Sequence, residues 1–179
     1  LSNSLSNTPS PTISTTPSAS PSPTISMTPT PSPFNTGGCS SCTNAGLECC
    51  VSVDSHMPKG YVAGNVKVGD TLVLADEKTL TPDFGIVTYS EPSLEPSVRL
   101  TTRNGAILDC SLTAPIPTRD DGLLKAPKCL NKYVGVNIND FVFWDEVISI
   151  DNIGDIMVQK ITVNNKCFWA GKNSGSYIL

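Results

Sequence analysis

Charge is absent from the first 38 residues of this 179-residue chain, and basic charge is scarce in the remainder. Lys and Arg number 12 against 16 Asp and Glu, so the formal net charge is -4 and the isoelectric point about 4.8. The basic residues stand singly along the chain, which leaves no positive field for nucleic acid or anionic lipid. No nucleic-acid partner is expected. Histidine is nearly missing too: His56 is the only one, and a lone His at a strand end reads first as a surface or packing residue. No run approaches the ~20 apolar residues that a membrane span needs, so no span is expected. No signal-type segment is visible, but the chain begins at Leu1 rather than Met and reads as a fragment or a processed product. No cofactor is expected, and the carboxylates Asp70 and Asp109 read as turn or strand-end residues, without the spacing of a paired-carboxylate hydrolase.

What the chain does contain is proline at one end and cysteine throughout. The first 38 residues repeat a loose Thr-Pro-Ser-Pro unit, at Thr8-Pro9-Ser10-Pro11, Ser20-Pro21-Ser22-Pro23 and Thr30-Pro31-Ser32-Pro33. Such a segment has too little apolar surface to offset its chain entropy, and its prolines favour extended polyproline II. It reads as a disordered stalk or linker, open to O-glycosylation. Residues 39–49 form a Cys-rich junction holding Cys39, Cys42 and Cys49, and Cys50, Cys110, Cys129 and Cys167 follow. Seven cysteines beside a mucin-like leader favour an oxidising setting: extracellular, cell-surface or virion-associated. An odd total leaves at least one thiol without an intramolecular disulfide partner. Cys39, Cys42, Cys49 and Cys50 could in principle close a four-thiolate zinc site. The spacing is short for that and no second Cys-x-x-Cys follows, so disulfides are the stronger reading and no metal is expected.

Residues 50–179 change character to short β-type runs. Strands are expected at Tyr61 to Gly64, Asn65 to Val68, Thr71 to Leu74, Gly85 to Ser90, Val98 to Arg103 and Ala106 to Ser111. Later ones follow at Lys132 to Asn137, Val142 to Ile150, Ile156 to Val163 and Cys167 to Ala170. Gly69-Asp70 and Asn104-Gly105 fall between such runs as hairpin turns. Pro82, Pro92, Pro96, Pro115, Pro117 and Pro127 are expected at strand boundaries. One short helical patch is expected near Leu123 to Leu130. Trp144, Phe168 and Trp169 read as core aromatics, and Cys110 as a small buried hydrophobe. Many short strands at close spacing predict a compact all-β domain of sandwich or barrel type.

Three segments in order give that domain a resemblance. The first is Cys50-Val51-Ser52-Val53-Asp54-Ser55 with Asn65-Val66-Lys67-Val68-Gly69-Asp70-Thr71-Leu72-Val73-Leu74. The second is Val98 to Gly105 followed by Ala106 to Thr118, and the third is Ile156 to Phe168 with Trp144 to Ile150 ahead of it. Their order and spacing resemble the Hint family, which covers inteins, hedgehog autoprocessing domains and bacterial intein-like domains. The gap between the second and third blocks is too short for an endonuclease insertion, so the resemblance is to the minimal form. It implies a horseshoe-like all-β domain over residues 50–179, acting on its own flanking segments.

The resemblance also implies a chemistry. The Cys50 thiol would attack the carbonyl of Cys49, exchanging the Cys49–Cys50 peptide for a thioester. Water, an external nucleophile or a second residue would then accept the acyl group. Ser111 falls where the family usually has Thr, and Ala114 where it usually has His. Lys160 falls where many members carry Asp, and Lys166 where many carry His. Ile178-Leu179 would lie just before the family's closing His-Asn pair. Proton transfer would therefore fall to Ser111, Thr113 or His56. Two readings stand at this point. In one, Cys50 is a nucleophile in an active self-processing domain. In the other, Cys50 is held in a disulfide with Cys39, Cys42 or Cys49, and the domain is a decayed structural or adhesive module on a Pro-rich stalk.

Overall fold

The computed structural model describes residues 50–163 and 167–179. Thirteen strands join in one sheet among these residues. The first four are short: β1 (Cys50–Ser52), β2 (His56–Met57), β3 (Tyr61–Val62) and β4 (Thr71–Ala75). They precede the long β5 (Pro82–Thr102), then β6 (Ile107–Ser111), β7 (Pro115–Thr118), β8 (Gly122–Lys125) and β9 (Tyr133–Ile138). The long β10 (Phe141–Val163) is followed by β11 (Cys167–Phe168), β12 (Ala170–Asn173) and β13 (Ser176–Ile178). Among the described residues there is no α-helix, only three single 3-10 turns, and no helix long and apolar enough to cross a membrane.

β5 and β10 are the spine. They pair antiparallel from Val147 opposite Thr102 to Val163 opposite Val87, with register shifts on the way. A straight strand of such length would span roughly 70 Å at about 3.3 Å per residue. The register shifts are where such a ribbon can bend and gain twist. β6 pairs with β5 and with β1, and β1 pairs with β10. The path β5–β6–β1–β10 therefore closes on itself through the β5–β10 pairing.

Side-chain alternation sorts this circuit into two faces. Val98, Leu100, Leu108, Cys110 and Val51 share one face and are buried in the main apolar core with Val134, Val136, Val147 and Ile178. A second cluster gathers Leu80, Trp169, Tyr177 and Leu179. Trp169 is fully buried and Phe168 nearly so, as core aromatics should be, while Trp144 packs half-buried against the second cluster.

Several local expectations needed revision. The runs at Gly85 to Ser90 and Val98 to Arg103 are parts of one strand that continues through Pro92 and Pro96. The register explains how: Val53 N donates to Met157 O, so by alternation Val51 and Gln159 exchange the next bonds of that ladder. Gln159 thus points its backbone groups at β1, and Pro92, opposite it on β5, points away from β10. Pro96 is oriented the same way, its carbonyl accepting from Leu112 N. Neither proline removes a donor from the β5–β10 ladder. The Leu123 to Leu130 patch is not a helix: β8 pairs with β7 and a single 3-10 turn follows at Ala126–Lys128. Residues 65–68 are not a strand either. Lys67 N donates to the Asp70 carboxylate, and Gly69 N and Val87 N bond across to Val87 O and Asp70 O. The Asn104-Gly105 hairpin formed as expected, between Thr101 and Ile107.

One charged cluster ties three strands. Arg99 on β5 grips Asp109 on β6 through Nε and Nη2 at 2.7 and 2.8 Å, and Lys172 Nζ on β12 lies 3.3 Å from the same carboxylate. Burial would raise the Asp109 pKa, but Arg99 and Lys172 outweigh it and hold the carboxyl below its usual value. The stabilisation is thus present above the ordinary carboxylate range, about pH 4, and is lost as pH falls through the folded value. Denaturant unfolding at neutral and acid pH should show Asp109→Asn less stable at neutral pH and flatter in its acid dependence than the parent chain.

Candidate active site

β1 has three residues, all buried, and is held on both edges. On one side Cys50 lies opposite Lys160, Val51 opposite Gln159 and Ser52 opposite Val158. On the other, Val51 lies opposite Cys110. Carried one residue back, that antiparallel register sets Cys50 opposite Ser111. The alternation fixed by the Val53–Met157 bond leaves Cys50 and Lys160 as a non-hydrogen-bonded pair, the kind in which Cα atoms stand about 4.5 Å apart and side chains lie closest. The backbone polar groups of Cys50 point instead toward β6.

Ser111 is buried, and its Oγ lies 3.1 Å from Thr113 Oγ1 in a hydrogen bond that either hydroxyl can donate. The turn that follows is closed by Ala114 N donating to Ser111 O. Cys50, Ser111 and Thr113 are thus brought together at the junction of β1 and β6. His56 is not: it lies on β2, opposite Val62 of β3 and Gly171 of β12, and does not line the cavity beside Cys50. Cys49 and Lys166, and with them the carbonyl side of the expected scissile bond, lie outside the described residues. So do Cys39 and Cys42 of the Cys-rich junction.

That cavity is small, about 30 Å³, and mostly apolar. Cys50, Cys110, Ala114, Cys167, Ile178 and Leu179 are among its walls. Leu179 is buried, with its N–H donating to Gly135 O at 3.0 Å. The segment entering the domain at Cys50 and the segment reaching Leu179 therefore face one space. Nothing in the local sequence around Leu179 announces this; it follows from β13 lying beside β9 while β1 lies beside β10.

Three other thiols of the domain are held neutral by burial. Desolvation pushes Cys129 up to about 12, against a modest opposing pull from Lys132. Cys110 is driven higher still by full burial and by the neighbouring Cys129, Asp109 and Cys50. Cys167 is raised by burial and by Glu77, whose carboxylate accepts its S–H at 3.4 Å. Lys160 Nζ makes an ion pair with Glu95 Oε1 at 2.8 Å, and Ser93 Oγ donates to the same oxygen. The sequence offered no sign of Glu95 or Glu77 as site neighbours. Among the described residues no group of three or more His, Cys, Asp or Glu could hold a metal ion.

Because the thiolate is the reactive form, iodoacetamide near neutral pH should leave Cys110, Cys129 and Cys167 unmodified in the native protein and label all three after denaturation. Peptide mass spectrometry reads the result, and rapid native labelling of Cys110 or Cys129 would contradict their burial.

No family model matches this chain, and no curated protein matches it by sequence. Solved structures do match. A DnaB intein from Synechocystis sp. superposes with a TM-score of 0.61 at 19% identity, covering 72% of this chain and 96% of that one. The bacterial intein-like domain from Clostridium thermocellum gives 0.55 at 14% identity, over 74% of this chain and 95% of its own. The gp41-1 intein gives 0.53 at 17% identity, over 69% and 98%. These identities carry the fold and not the activity. By fold, the described part of this chain is a Hint/intein-like domain.

Proposed function

We propose that this chain processes itself through an N–S acyl shift at Cys50, giving a thioester with Cys49 that is then cleaved or passed on. Residues 1–38 serve in this reading as a Ser/Thr/Pro-rich stalk, residues 39–49 as a Cys-rich junction and residues 50–179 as the processing domain. The observation that carries it is the convergence of Cys50 and Leu179 on one cavity. A domain that handles both of its flanking segments needs its entry and exit side by side, and a merely structural module does not.

The roles follow from placement. Cys50 is the nucleophile, since a thiolate both attacks a carbonyl well and leaves well. Ser111 and Thr113, already hydrogen-bonded to each other, are placed to donate to the developing oxyanion or to the departing nitrogen. His56, the one imidazole of the chain, stands on β2 opposite Gly171 of β12 and outside the cavity lining, and takes no part in this reading. The methyl of Ala114 faces the cavity where an imidazole would serve as donor, so the reaction is expected to be slow by the ~10²–10⁴-fold that general acid–base help contributes. The acyl acceptor is water, an external thiol or amine, or a residue of a flanking segment.

Incubation of the purified chain with dithiothreitol should release a fragment ending at Cys49, detected by intact mass, and Cys50→Ala should abolish that release. Equal behaviour of the two chains would rule the reading out. A second reading, a decayed Hint-fold module on a Pro-rich stalk, is favoured by Ala114, Lys160 and Lys166 and by the stalk itself. It expects Cys50 in a stable disulfide on non-reducing peptide mapping, whereas the processing reading expects a titratable thiol.

A further inference from the structure

Three strands meet at Cys50, and two of them bring a polar side chain to the face from which the Cys50 side chain leaves. Ser111 comes from β6 and Lys160 from β10. Direct cross-strand partners share a face and are the closest neighbours a sheet provides. The Lys160 ammonium is fixed in direction, with Nζ 2.8 Å from Glu95 Oε1 and the two side chains only 26% and 16% exposed. Glu95 is itself held by Ser93 Oγ at 3.1 Å. An ion pair so far withdrawn from water loses hydration that its attraction barely offsets, and an apolar pair would staple β5 to β10 as well. Stability alone therefore does not account for it.

Chemistry does. Cys50 is fully buried, and burial by itself favours the neutral thiol, as it does for Cys110, Cys129 and Cys167. A buried nucleophile needs an opposing influence, and a fixed cation alongside is the common one. We propose that Lys160, oriented by Glu95, is the catalytic cation of the acyl shift, stabilising the Cys50 thiolate and then the oxyanion that forms on the Cys49 carbonyl.

This rests on the self-processing reading and adds to it the residue that replaces a missing imidazole. In the step, the Cys50 Sγ–carbonyl bond forms and the carbonyl–nitrogen bond of residue 50 breaks. The proton lost from Sγ is, in net balance, the one the nitrogen gains on leaving as an amine. Lys160 stays an ammonium throughout, and Glu95 acts as a positioning residue. The other titratable groups around Cys50 work against a thiolate or are engaged elsewhere. Glu91 lies opposite Lys160 on β5 and accepts from Tyr89 Oη. Asp109 on β6 is closed by Arg99 and Lys172. Cys110 is a neutral thiol on β6, with Cys129 beside it, and Cys167 also lines the cavity.

Two readouts separate this proposal from the reading beneath it. Carbon NMR of labelled cysteine follows the titration of Cys50 itself, whether or not cleavage occurs, while dithiothreitol-induced release follows the chemistry. Lys160→Gln should move the Cys50 titration to higher pH and slow release at neutral pH about tenfold, whereas Lys160→Arg should keep both near the parent. Glu95→Gln, which removes the carboxylate that offsets the lysine, should move the Cys50 titration to lower pH, and it decides the matter if Lys160→Gln does not fold. A Cys50 titration unchanged by loss of the lysine, or by loss of the carboxylate in that case, overturns the proposal. A shifted titration with no release from any chain upholds the assigned charge and overturns self-processing instead.

Discussion

The closed path β5–β6–β1–β10 is the constraint from which the site follows. β1 is three residues long, too short to define a direction or a register by itself, and it exists only because β6 and β10 saturate its two edges. That double edge fixes which way the Cys50 backbone faces, which residue lies across from it and where the chain must enter. The rest of the molecule serves this geometry. The long β5–β10 ribbon supplies the curved frame, and Arg99, Asp109 and Lys172 lock β5, β6 and β12 together behind it. The β9–β13 pairing returns the chain to the same cavity at Leu179.

Much of this was legible wherever a local rule decides local structure. Alternation and β-branched runs gave an all-β chain, and Asn104-Gly105 gave a hairpin because Gly105, at φ +86°, takes the left-handed backbone that the turn needs. The same rule operates at Asn139-Asp140, both with positive φ, which joins β9 to β10. Failures came where tertiary partners override local preference. Pro92 and Pro96 look like strand ends until one knows that their nitrogens face away from β10. Leu123 to Leu130 has helix-compatible residues, but β7 offers β8 a strand edge first. The Gly69-Asp70 turn is real, yet it sets the chain against Val87 of β5 rather than pairing residues 65–68 with β4.

The site was legible in part for the same reason. Cys50, Ser111 and Thr113 could be named because each sits in a segment whose order matters more than its contacts. Lys160 could be named only as a departure from the family pattern. What it faces depends on the β1–β10 register, and Glu95, which directs it, is sixty-five positions away in sequence and joined by no local signal. Long-range pairing is what a single sequence carries least of, and here pairing decides which charged residue lies across the sheet from Cys50.

Four buried cysteines in one small domain raise a problem of selectivity for the proposed reaction, since thiols attack carbonyls and exchange onto thioesters. The structure's answer is dielectric. Cys110, Cys129 and Cys167 are all in environments that favour the neutral form, and Cys167 has an acidic partner that strengthens the effect. Of the cysteines described, Cys50 has a lysine directly across the sheet. Burial is common to all four; the neighbour across the strand is not. In a core where every described sulfur is out of water, the ladder that pairs residue 50 with residue 160 gives Cys50 a cationic residue across the sheet.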